Sequence, residues 1–564
     1  MTINTPSKYT SKSLIMCGIF AIIFDTTQHD AIAIQATISS IKSLMMQRGP
    51  DQSATKCITI GIYQIVLVFS RLAIMDVSTN GLQPFSTRDD QLHVICNGEL
   101  YNTNQLKQAC SSVQYDYTST SDCQVLIPHY INIRDTYATP HLIDPSNIIT
   151  PISGEFATVY VDVTNKSIIA FRDRYGIRPL FMGKHRNNSI IAFASEMKLL
   201  VPFDLDVIEA VVPNRYHHIT LHDSLTIMRQ KNWFDYDTLI ANTALATSNT
   251  STSTSVILQS IRSSLTKSVQ DRLSSDRNIG FLLSGGLDSS LIVSIACRLL
   301  GPQNITCYSI GTSNSPDVIA AKRVASHLNI TDHHIIDFDY DTAFDLIPSV
   351  IQAIESYDIT TVRASVPQYM IAAHIANVTP TIKVLLSGEG SDEIHGGYKY
   401  FANAPSSKEF QAETLRLLKW LYCFDNLRTD RTMAHHGLEV RVPFLDNAYV
   451  ELVYSIDPNL QYKQPIEKQI IRDAFVGYLP NDILHRAKDA FSDAVSNDRE
   501  CWYAYIQRRL LGDGDAVTRV TKEASYYLEC FDKCGYDRKV IPFYWMPKYQ
   551  SESVVDPSAR TIGN

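Results

Sequence analysis

The pattern of apolar and polar positions between residues 278 and 299 predicts a strand, a glycine turn and a helix in succession. Residues 279–283 form a short apolar run, which the sequence SGG at 284–286 interrupts. Apolar residues then recur at helical spacing, at Leu287, Leu291, Ile292, Ile295 and Leu299. Glycines let the backbone turn sharply, and the free amides at a helix start attract an anion. The stretch therefore predicts a phosphate-binding turn around which the second half of the chain is organised.

Apolar strands alternate with helical patterns beyond this turn. Strands are predicted at 305–311, 334–338 and 384–386, and a helix is predicted at 316–328. This alternation is typical of a parallel sheet flanked by helices, in which ligands bind at the carboxyl ends of the strands. The last of these strands leads directly into the acidic sequence SGEGSDE at 387–393. That sequence is therefore expected at the ligand-binding edge of the sheet.

A polar, low-complexity segment divides the chain. Residues 243–255, TALATSNTSTSTS, cannot bury apolar surface and are expected to form a flexible linker. Apolar positions at helical spacing after it predict an amphipathic helix that leads into the glycine turn. We expect five segments: a leader at 1–16, a first domain at 17–215, a connecting segment at 216–255, a second domain at 256–540 and a C-terminal tail at 541–564.

The composition is that of a soluble globular protein with more than one domain. The chain has 564 residues, which exceeds what one core usually holds, and 45% of them are hydrophobic and 19% charged. The net charge of -8 argues against nucleic acid as a partner. No apolar segment reaches the ~18 to 20 residues of a membrane helix. The eleven cysteines are scattered, which favours reduced thiols and a cytoplasmic location.

The glycine turn carries groups suited to a nucleotide. Ser284, Ser289 and Ser290 offer hydroxyl donors, and Asp288 offers a carboxylate to a divalent cation that bridges phosphates. The sequence SGGLDSS at 284–290 resembles the pyrophosphate-binding loop of the N-type ATP pyrophosphatases, and it lacks the lysine and spacing of a P-loop. The resemblance implies transfer of AMP rather than of the γ-phosphoryl group.

A second series of motifs begins at Cys17, directly before an apolar strand. The series consists of MCGIFA at 16–21, RGPD at 48–51, RLAIMD at 71–76, NGELYN at 97–102, SD at 121–122 and RDRYGIRPL at 172–180. Together these motifs resemble the class II glutamine amidotransferases. In that family the cysteine is the first residue of the mature chain, its α-amine acts as base, and its thiolate attacks the γ-amide of glutamine. Gln47 and the segment 52–54 depart from the family pattern, which should alter a loop rather than the chemistry.

The resemblance assigns glutamine binding to one group of residues. They are Arg71, Leu72, Ala73, Ile74, Met75, Asn97, Gly98, Glu99 and Asp122. Arg71 and Asp122 can hold the α-carboxylate and the α-ammonium group of a free amino acid. Asn97 and the backbone amide of Gly98 can form an oxyanion hole.

The second half resembles the synthetase domain of the glutamine-hydrolysing asparagine synthetases, and this match extends over nearly the whole chain. The motifs that carry it are SGGLDSS, YSIG at 308–311, ESYDITTVR at 355–363, SGEGSDEIHGGY at 387–398, HGLEVRVPFLD at 436–446 and KDAFSD at 488–493. The residues at 544–548 and 556–561 look like the eukaryotic branch. Ala494 departs from the glycine of the family, which puts only local loop shape in doubt.

The resemblance implies an α+β fold of N-terminal-nucleophile (αββα) type for the glutaminase domain. An α/β domain with a parallel sheet of the ATP pyrophosphatase type would follow it. The implied reaction makes L-asparagine from L-aspartate and L-glutamine through β-aspartyl-AMP, with ATP as a substrate and Mg²⁺ as cofactor. The residues implied in ATP binding are Leu283, Ser284, Gly285, Gly286, Asp288, Ser289, Ser290, Ile310, Ser387 and Gly388. A homodimer is compatible with the resemblance.

Further roles in the synthetase half follow from the same resemblance. Asp288 and Asp392 would hold magnesium, and Lys488 would neutralise charge that develops at the α-phosphate. Glu389 would position or deprotonate ammonia. Arg363, Glu439 and Arg441 are candidates for binding the substrate or shaping its pocket. The implied catalytic residues of both halves are Cys17, Asn97, Gly98, Glu389 and Lys488.

Two other functions remain open at this point. The same two domains could amidate or cyclise another carboxylate, as β-lactam synthetases do, although cyclisation does not need the intact Cys17. A non-catalytic glutamine or nucleotide sensor is a second alternative, against which the intact catalytic residues argue.

The proposed base conflicts with the residues that precede Cys17. A nucleophile that uses its own α-amine must be residue one, since a peptide nitrogen is not basic. We expect translation to start at Met16, with that methionine removed, in preference to proteolytic trimming, because residues 1–16 carry no cleavage signature. With these residues attached, the chain is expected to lack glutaminase activity.

Overall fold

The computed structural model describes residues 17–137, 143–221, 225–241, 253–462, 466–487, 495–496, 500–511, 516–550 and 555–557. The segment 1–16, Lys488 and Ala494 lie outside the described residues, as do residues 243–252 of the predicted linker.

The strands are numbered in chain order. They are β1 (Gly18–Asp25), β2 (Gln52–Ile60), β3 (Tyr63–Arg71), β4 (Phe85–Ser86), β5 (Leu92–Leu100), β6 (Gly154–Asp162), β7 (Ser167–Arg172), β8 (Phe181–Lys184), β9 (Ile190–Ala194), β10 (Val207–Ala210), β11 (Arg215–Leu221), β12 (Leu225–Asn232), β13 (Asn278–Leu282), β14 (Thr306–Ile310), β15 (Asp332–Ile336), β16 (Ile382–Leu386) and β17 (Glu439–Arg441).

The helices are numbered in the same way. They are α1 (Ala31–Met45), α2 (Thr103–Ala109), α3 (Leu126–Arg134), α4 (Pro145–Ile149), α5 (Thr254–Arg272), α6 (Leu287–Leu300), α7 (Pro316–His327), α8 (Tyr340–Ile354), α9 (Ile359–Val378), α10 (Ser391–His395), α11 (Ser407–Trp420), α12 (Asp425–Ala434), α13 (Asn447–Ser455), α14 (Gln469–Ala474), α15 (Asn481–Leu484), α16 (Trp502–Leu511) and α17 (Ala516–Lys533).

The first half forms two antiparallel sheets that pack face to face. Their strand orders are β10-β8-β9-β1-β3-β2 and β12-β11-β7-β6-β5-β4. Alternate residues of β1 and β3, such as Ile19 and Leu67, meet residues of the second sheet, such as Ala157, in one core. Helix α1 packs on the outer face of the first sheet, and α2 to α4 pack on the outer face of the second. The predicted αββα architecture is confirmed.

The second half forms a five-stranded parallel sheet with the order β15-β14-β13-β16-β17. Apolar residues such as Phe281 and Leu386 face a core that includes α5 and α6. Tyr308 and Leu385 face the opposite core, which includes α8, α9 and α12. Because all five strands run in the same direction, their carboxyl ends lie along one edge. The predicted α/β domain is confirmed.

Two element boundaries differ from those expected from the sequence. The strand expected at 334–338 lies at Asp332–Ile336, because this edge strand is held by pairing of Asp332 to Thr306 rather than by apolar residues. Helix α5 begins at Thr254, so residues 254 and 255 of the expected linker are helical. The eleven cysteines are free thiols in this structure. No helix within the described ranges is long and apolar enough to cross a membrane.

Candidate active sites

Strand pairing places Cys17 next to the end of β3. Gly18 pairs with Ser70 across the antiparallel β1–β3 ladder, so the preceding cysteine lies opposite Arg71 and next to Leu72. The thiol accepts a hydrogen bond from the Leu72 amide at 3.3 Å and donates to the Leu72 carbonyl at 3.4 Å. Burial of the thiol raises the pKa of Cys17 to about 12. At neutral pH the thiol is protonated, so it needs a base before it can act as a nucleophile.

Strand β5 supplies two candidate oxyanion donors. Asn97 is buried, and among the described residues its side-chain amide nitrogen has no hydrogen-bond partner. A buried donor without a partner is costly, so it indicates a group that is kept ready for a ligand. Gly98 has φ of +149°, and a Cβ atom there would lie 1.9 Å from the carbonyl oxygen of Glu155. Only glycine fits this position of the strand.

The predicted glutamine-binding loop at 71–76 is held by both halves of the chain. The carboxylate of Asp51 accepts a hydrogen bond from the Ala73 amide at 2.9 Å, and the Arg277 side chain donates to the Ala73 carbonyl at 2.8 Å. The Arg71 guanidinium donates to the Gln52 side chain at 2.7 Å and to the Met75 carbonyl at 3.2 Å. In this structure Arg71 therefore also stabilises the loop to which it belongs.

Two predicted glutamine-binding carboxyl groups lie at the end of β5. Asp122 accepts a hydrogen bond from the Leu100 amide at 2.6 Å, and burial raises the pKa of its carboxyl group. Glu99 forms an ion pair of 3.3 Å with Arg441 of the second half. Burial raises the pKa of Glu99, and the neighbouring Asp122 raises it further. The two carboxyl groups lie close enough to influence each other.

The glycine turn has the predicted strand, turn and helix geometry. The Leu283 amide donates to the Tyr308 carbonyl of the neighbouring strand at 2.9 Å, which fixes the start of the turn. Gly285 has φ of +78°, and a Cβ atom there would lie 2.4 Å from the Ala321 amide nitrogen. The hydroxyl groups of Ser284 and Ser289 lie 3.0 Å apart across the turn. Helix α6 begins directly behind it, so its first amides point into the turn.

A cleft at the carboxyl ends of β13, β14 and β16 brings together eight of the ten predicted ATP-binding residues, the predicted catalytic residue Glu389 and the predicted magnesium ligand Asp392. Those that line it are Leu283, Ser284, Gly286, Asp288, Ser289, Ile310, Ser387, Gly388, Glu389 and Asp392. Gly285 and Ser290 lie beneath the surface of the turn instead. Ser290 is fully buried, and its amide donates to the Gly286 carbonyl, which supports the first turn of the helix.

The two predicted magnesium ligands converge on one cation. The ammonium group of Lys468 lies 2.7 Å from an oxygen of Asp288 and 2.7 Å from an oxygen of Asp392. No group of three or more His, Cys, Asp or Glu side chains suited to a metal occurs in the part of the chain that the structure describes. Magnesium, however, commonly uses one or two carboxylates together with substrate phosphates. The arrangement of the two aspartates fits that mode of binding.

Glu389 lines the same cleft, beside a buried arginine. Arg428 donates to Glu389 at 3.2 Å, to Asp425 at 2.6 Å and to the Gln368 side chain at 3.2 Å. The neighbouring Glu393 is buried and accepts a hydrogen bond from the Tyr398 hydroxyl. Burial, with the charges of Asp425 and Asp392, raises the pKa of Glu393 to about 8. This side of the cleft therefore combines a lining carboxylate that is paired with Arg428 and, behind the lining, a buried carboxyl group whose pKa is raised.

Three further candidates lie away from the cleft. Arg363 is buried and forms ion pairs with Glu523 at 2.6 Å and with Asp556 of the C-terminal tail at 2.8 Å. Glu439 and Arg441 lie on edge strand β17, where they pair with each other at 2.8 Å. The contacts of Arg363 anchor the tail, and those of Arg441 join the two halves of the chain.

The motifs did not single out Lys468, Asp425 or Arg428, which line the cleft. Lys468 stands directly before helix α14, where the helix dipole disfavours a cation. Arg428 likewise lies near the start of α12. A basic residue at a helix start was the signal that could have indicated a nearby acidic partner.

Comparison with known proteins agrees with this geometry. The glutamine amidotransferase domain family matches residues 16–230, and the asparagine synthase family matches residues 260–415 and 402–538. A probable glutamine-hydrolysing asparagine synthetase of Acanthamoeba polyphaga mimivirus is 44% identical, over 97% of this chain and 100% of that protein. The glutamine-hydrolysing asparagine synthetases of Gallus gallus and Homo sapiens are 33% and 32% identical, over 97% of this chain and 98% of each relative. The chain belongs to the family of glutamine-hydrolysing asparagine synthetases.

Proposed function

We propose that this protein makes L-asparagine from L-aspartate, with L-glutamine as nitrogen donor and ATP as energy source, and releases AMP, pyrophosphate and glutamate. The observation that carries the proposal is the presence of two complementary sites in one chain. In the proposed glutaminase site, Asn97 and the Gly98 amide would serve as oxyanion donors for the reaction at the Cys17 thiol. The other site pairs a phosphate-binding turn with the carboxylates of Asp288 and Asp392.

In the glutaminase half, the α-amine of a mature N-terminal Cys17 takes the proton of the thiol. The thiolate then attacks the γ-amide carbon of glutamine, and the oxyanion accepts hydrogen bonds from Asn97 and the Gly98 amide. Ammonia leaves, and water hydrolyses the thioester to glutamate. The raised pKa of Cys17 supports this assignment, because a thiol with a pKa of about 12 needs a base beside it. Removal of residues 1–16 is part of the proposal.

In the synthetase half, the turn at 284–290 binds the phosphates of ATP, and Asp288 and Asp392 are the residues that would hold Mg²⁺. Bound Mg²⁺ would neutralise phosphate charge. The β-carboxylate of aspartate attacks the α-phosphorus, which gives β-aspartyl-AMP and pyrophosphate. Lys468 is placed to stabilise the charge that develops on the phosphates, since its ammonium group lies between the two aspartates. Lys488 stays a prediction for the same role.

Ammonia then attacks the acyl-adenylate beside Glu389, which positions or deprotonates it. The pairing of Glu389 with Arg428 supports this role, because the arginine orients the carboxylate. On its way from Cys17, ammonia has to stay neutral. Cys17 packs against an apolar cluster in which Leu72 and Ile74 meet residues of the second half such as Leu283, which supports direct transfer inside the protein. The division into domains at 17–215 and 256–540 belongs to the same proposal.

The division of labour between the sites can be tested by substitution. Cys17→Ala should abolish asparagine synthesis from glutamine and leave synthesis from ammonia, because the nucleophile is gone and the adenylating site is intact. Asp288→Ala should abolish synthesis from either nitrogen source. The exposed Cys57 provides the matched control, since Cys57→Ala should change neither activity. Loss of both activities in a folded Cys17→Ala protein, or full activity of Asp288→Ala, would overturn the proposal.

A further inference from the structure

Helix α12 (Asp425–Ala434) lies between the two candidate sites. Residues 426–434 are buried. Arg428 points to the synthetase cleft, where it binds Glu389. Asp430 follows two positions later and therefore points to the opposite side of the helix, toward the glutaminase half. One helix of the synthetase half thus contacts both sites.

Asp430 binds the residue that holds the nucleophile in place. Its two carboxylate oxygens accept hydrogen bonds from the two terminal nitrogens of Arg48, at 2.9 and 3.2 Å. The third nitrogen of the same guanidinium donates to the carbonyl oxygen of Cys17 at 3.0 Å. Arg48 and Asp430 are each 1% exposed. A continuous chain of hydrogen bonds therefore runs from the synthetase half to the backbone of Cys17.

The Cys17 carbonyl is chemically important because it belongs to the nucleophilic residue itself. Its position fixes the peptide plane between Cys17 and Gly18, which contains the Cys17 Cα atom that carries both the α-amine and the thiol side chain. A guanidinium held in two-point contact by a carboxylate has one orientation, since its fork is planar and rigid. Glu196 also binds Arg48, at 2.9 Å, through a nitrogen that also donates to Asp430. Without Asp430, the guanidinium would lose its two-point contact with a carboxylate.

We propose that Asp430, a residue of the synthetase half, is a positioning residue for glutamine hydrolysis and acts on Cys17 through Arg48. The inference rests on the proposed glutaminase role of Cys17. It adds that the glutaminase site is complete only when helix α12 is packed against it.

Glu355 offers a matched control from the same buried ionic cluster. Its carboxylate binds Arg431 at 3.0 Å and the amides of Met197 and Lys198 at 2.9 and 2.8 Å. Glu355 therefore joins the two halves of the chain, as Asp430 does, but none of these three contacts involves Arg48. A general loosening of the contact between the halves would affect both variants alike.

The test compares Asp430→Asn, Glu355→Gln, Arg48→Gln and the double variant R48Q/D430N in the mature protein. Three quantities are measured: glutamate released from glutamine without ATP, asparagine made from ammonia, and the rate at which iodoacetamide alkylates Cys17. For Asp430→Asn we expect kcat for glutamine hydrolysis to fall about 10- to 100-fold with KM within about threefold, as for a misplaced catalytic group. Alkylation should slow in parallel, and ammonia-dependent synthesis should stay within about twofold. Glu355→Gln should keep its glutaminase kcat.

The double variant distinguishes positioning from other causes. If Asp430 acts through Arg48, then R48Q/D430N should be no slower in glutamine hydrolysis than Arg48→Gln alone. The double variant removes the charges of Arg48 and Asp430 together, so neither is left buried without its partner. It can therefore be used if Asp430→Asn fails to fold. Equal loss of both activities in Asp430→Asn, an unchanged glutaminase, or additive losses in the double variant would each overturn the inference. Wild-type protein without glutaminase activity would instead refute the proposed role of Cys17.

Discussion

At the scale of single residues, buried ionisable groups set the pH behaviour of the synthetase cleft. Glu393 is 4% exposed and lies among three other acidic side chains, Asp392, Asp425 and Glu389. Burial and these charges raise the pKa of Glu393 to about 8, so at neutral pH its carboxyl group is protonated. Protonation removes one negative charge from the surroundings of the cleft, which favours the proposed binding of the phosphates of ATP and a carboxylate substrate.

Glu393→Gln tests this protonation through stability. Between the ordinary carboxyl pKa near 4.5 and the folded-state value of about 8, the folded protein binds a proton that the unfolded chain has lost. The free energy of unfolding therefore falls as pH rises through this window. Glutamine cannot ionise and therefore does not contribute to this fall. The thermal midpoint of the variant, relative to that of the wild type, should therefore be higher at pH 8 than at pH 5. The exposed Glu529 supplies the control, Glu529→Gln. An equal difference between Glu393→Gln and wild type at both pH values would contradict the account.

Residues differ in how far the sequence could predict their place. Cys17 and Asp288 stand inside compact motifs, so chemistry and resemblance indicated them directly. Lys468 meets Asp288 across 180 positions, and Asp430 meets Arg48 across 382. Such pairs depend on how whole elements pack, which no local pattern contains. The roles of Lys488 and of residues 1–16 stay predictions, as do the cytoplasmic location and the oligomeric state.

At the scale of elements, the pairing of strand β5 positions the candidate oxyanion donors. Residues Asn97 to Glu99 pair with residues 155–157 of β6, and this ladder sets where the candidate oxyanion donors point. The alternation of β strands with helices predicted the parallel sheet, and the glycine turn was predicted with nearly correct limits. Edge strand β15 was predicted two residues too late, because edge strands have fewer apolar residues from which their limits could be predicted.

Gly98→Ala tests the role of β5. An added Cβ would lie 1.9 Å from the Glu155 carbonyl oxygen, so β5 or β6 would have to shift. Glutamine hydrolysis should fall about 100-fold or more, as when an oxyanion donor is lost. Ammonia-dependent synthesis should persist, because the synthetase cleft lies in the other half. Gly61→Ala is a matched control, since Gly61 also has positive φ, +61°, but has nothing within 4 Å of its added Cβ. Similar effects of the two substitutions on glutaminase activity would contradict the assignment.

At the scale of the whole molecule, the two halves share one hydrophobic core and a buried ionic contact. One core cluster contains Phe20 and Ile22 of the first half together with Tyr308 and Val362 of the second. Glu196 of the first half binds Arg431 of the second at 2.9 Å. A shared core of this kind favours a fixed relation between the two sites, which transfer of ammonia from one to the other requires.

The most direct test of the central claim follows the nitrogen and the phosphates in one reaction. Mature protein is given ATP, Mg²⁺, aspartate and glutamine labelled with ¹⁵N in its amide, and the products are quantified by mass spectrometry and NMR. The account predicts asparagine labelled in its side-chain amide, with AMP and pyrophosphate formed in equal amounts to it, and no turnover when a chelator removes Mg²⁺. Formation of ADP and phosphate would contradict adenylation. Release of AMP without labelled asparagine, or labelling of another carboxylate in its place, would contradict the assignment of aspartate as acceptor.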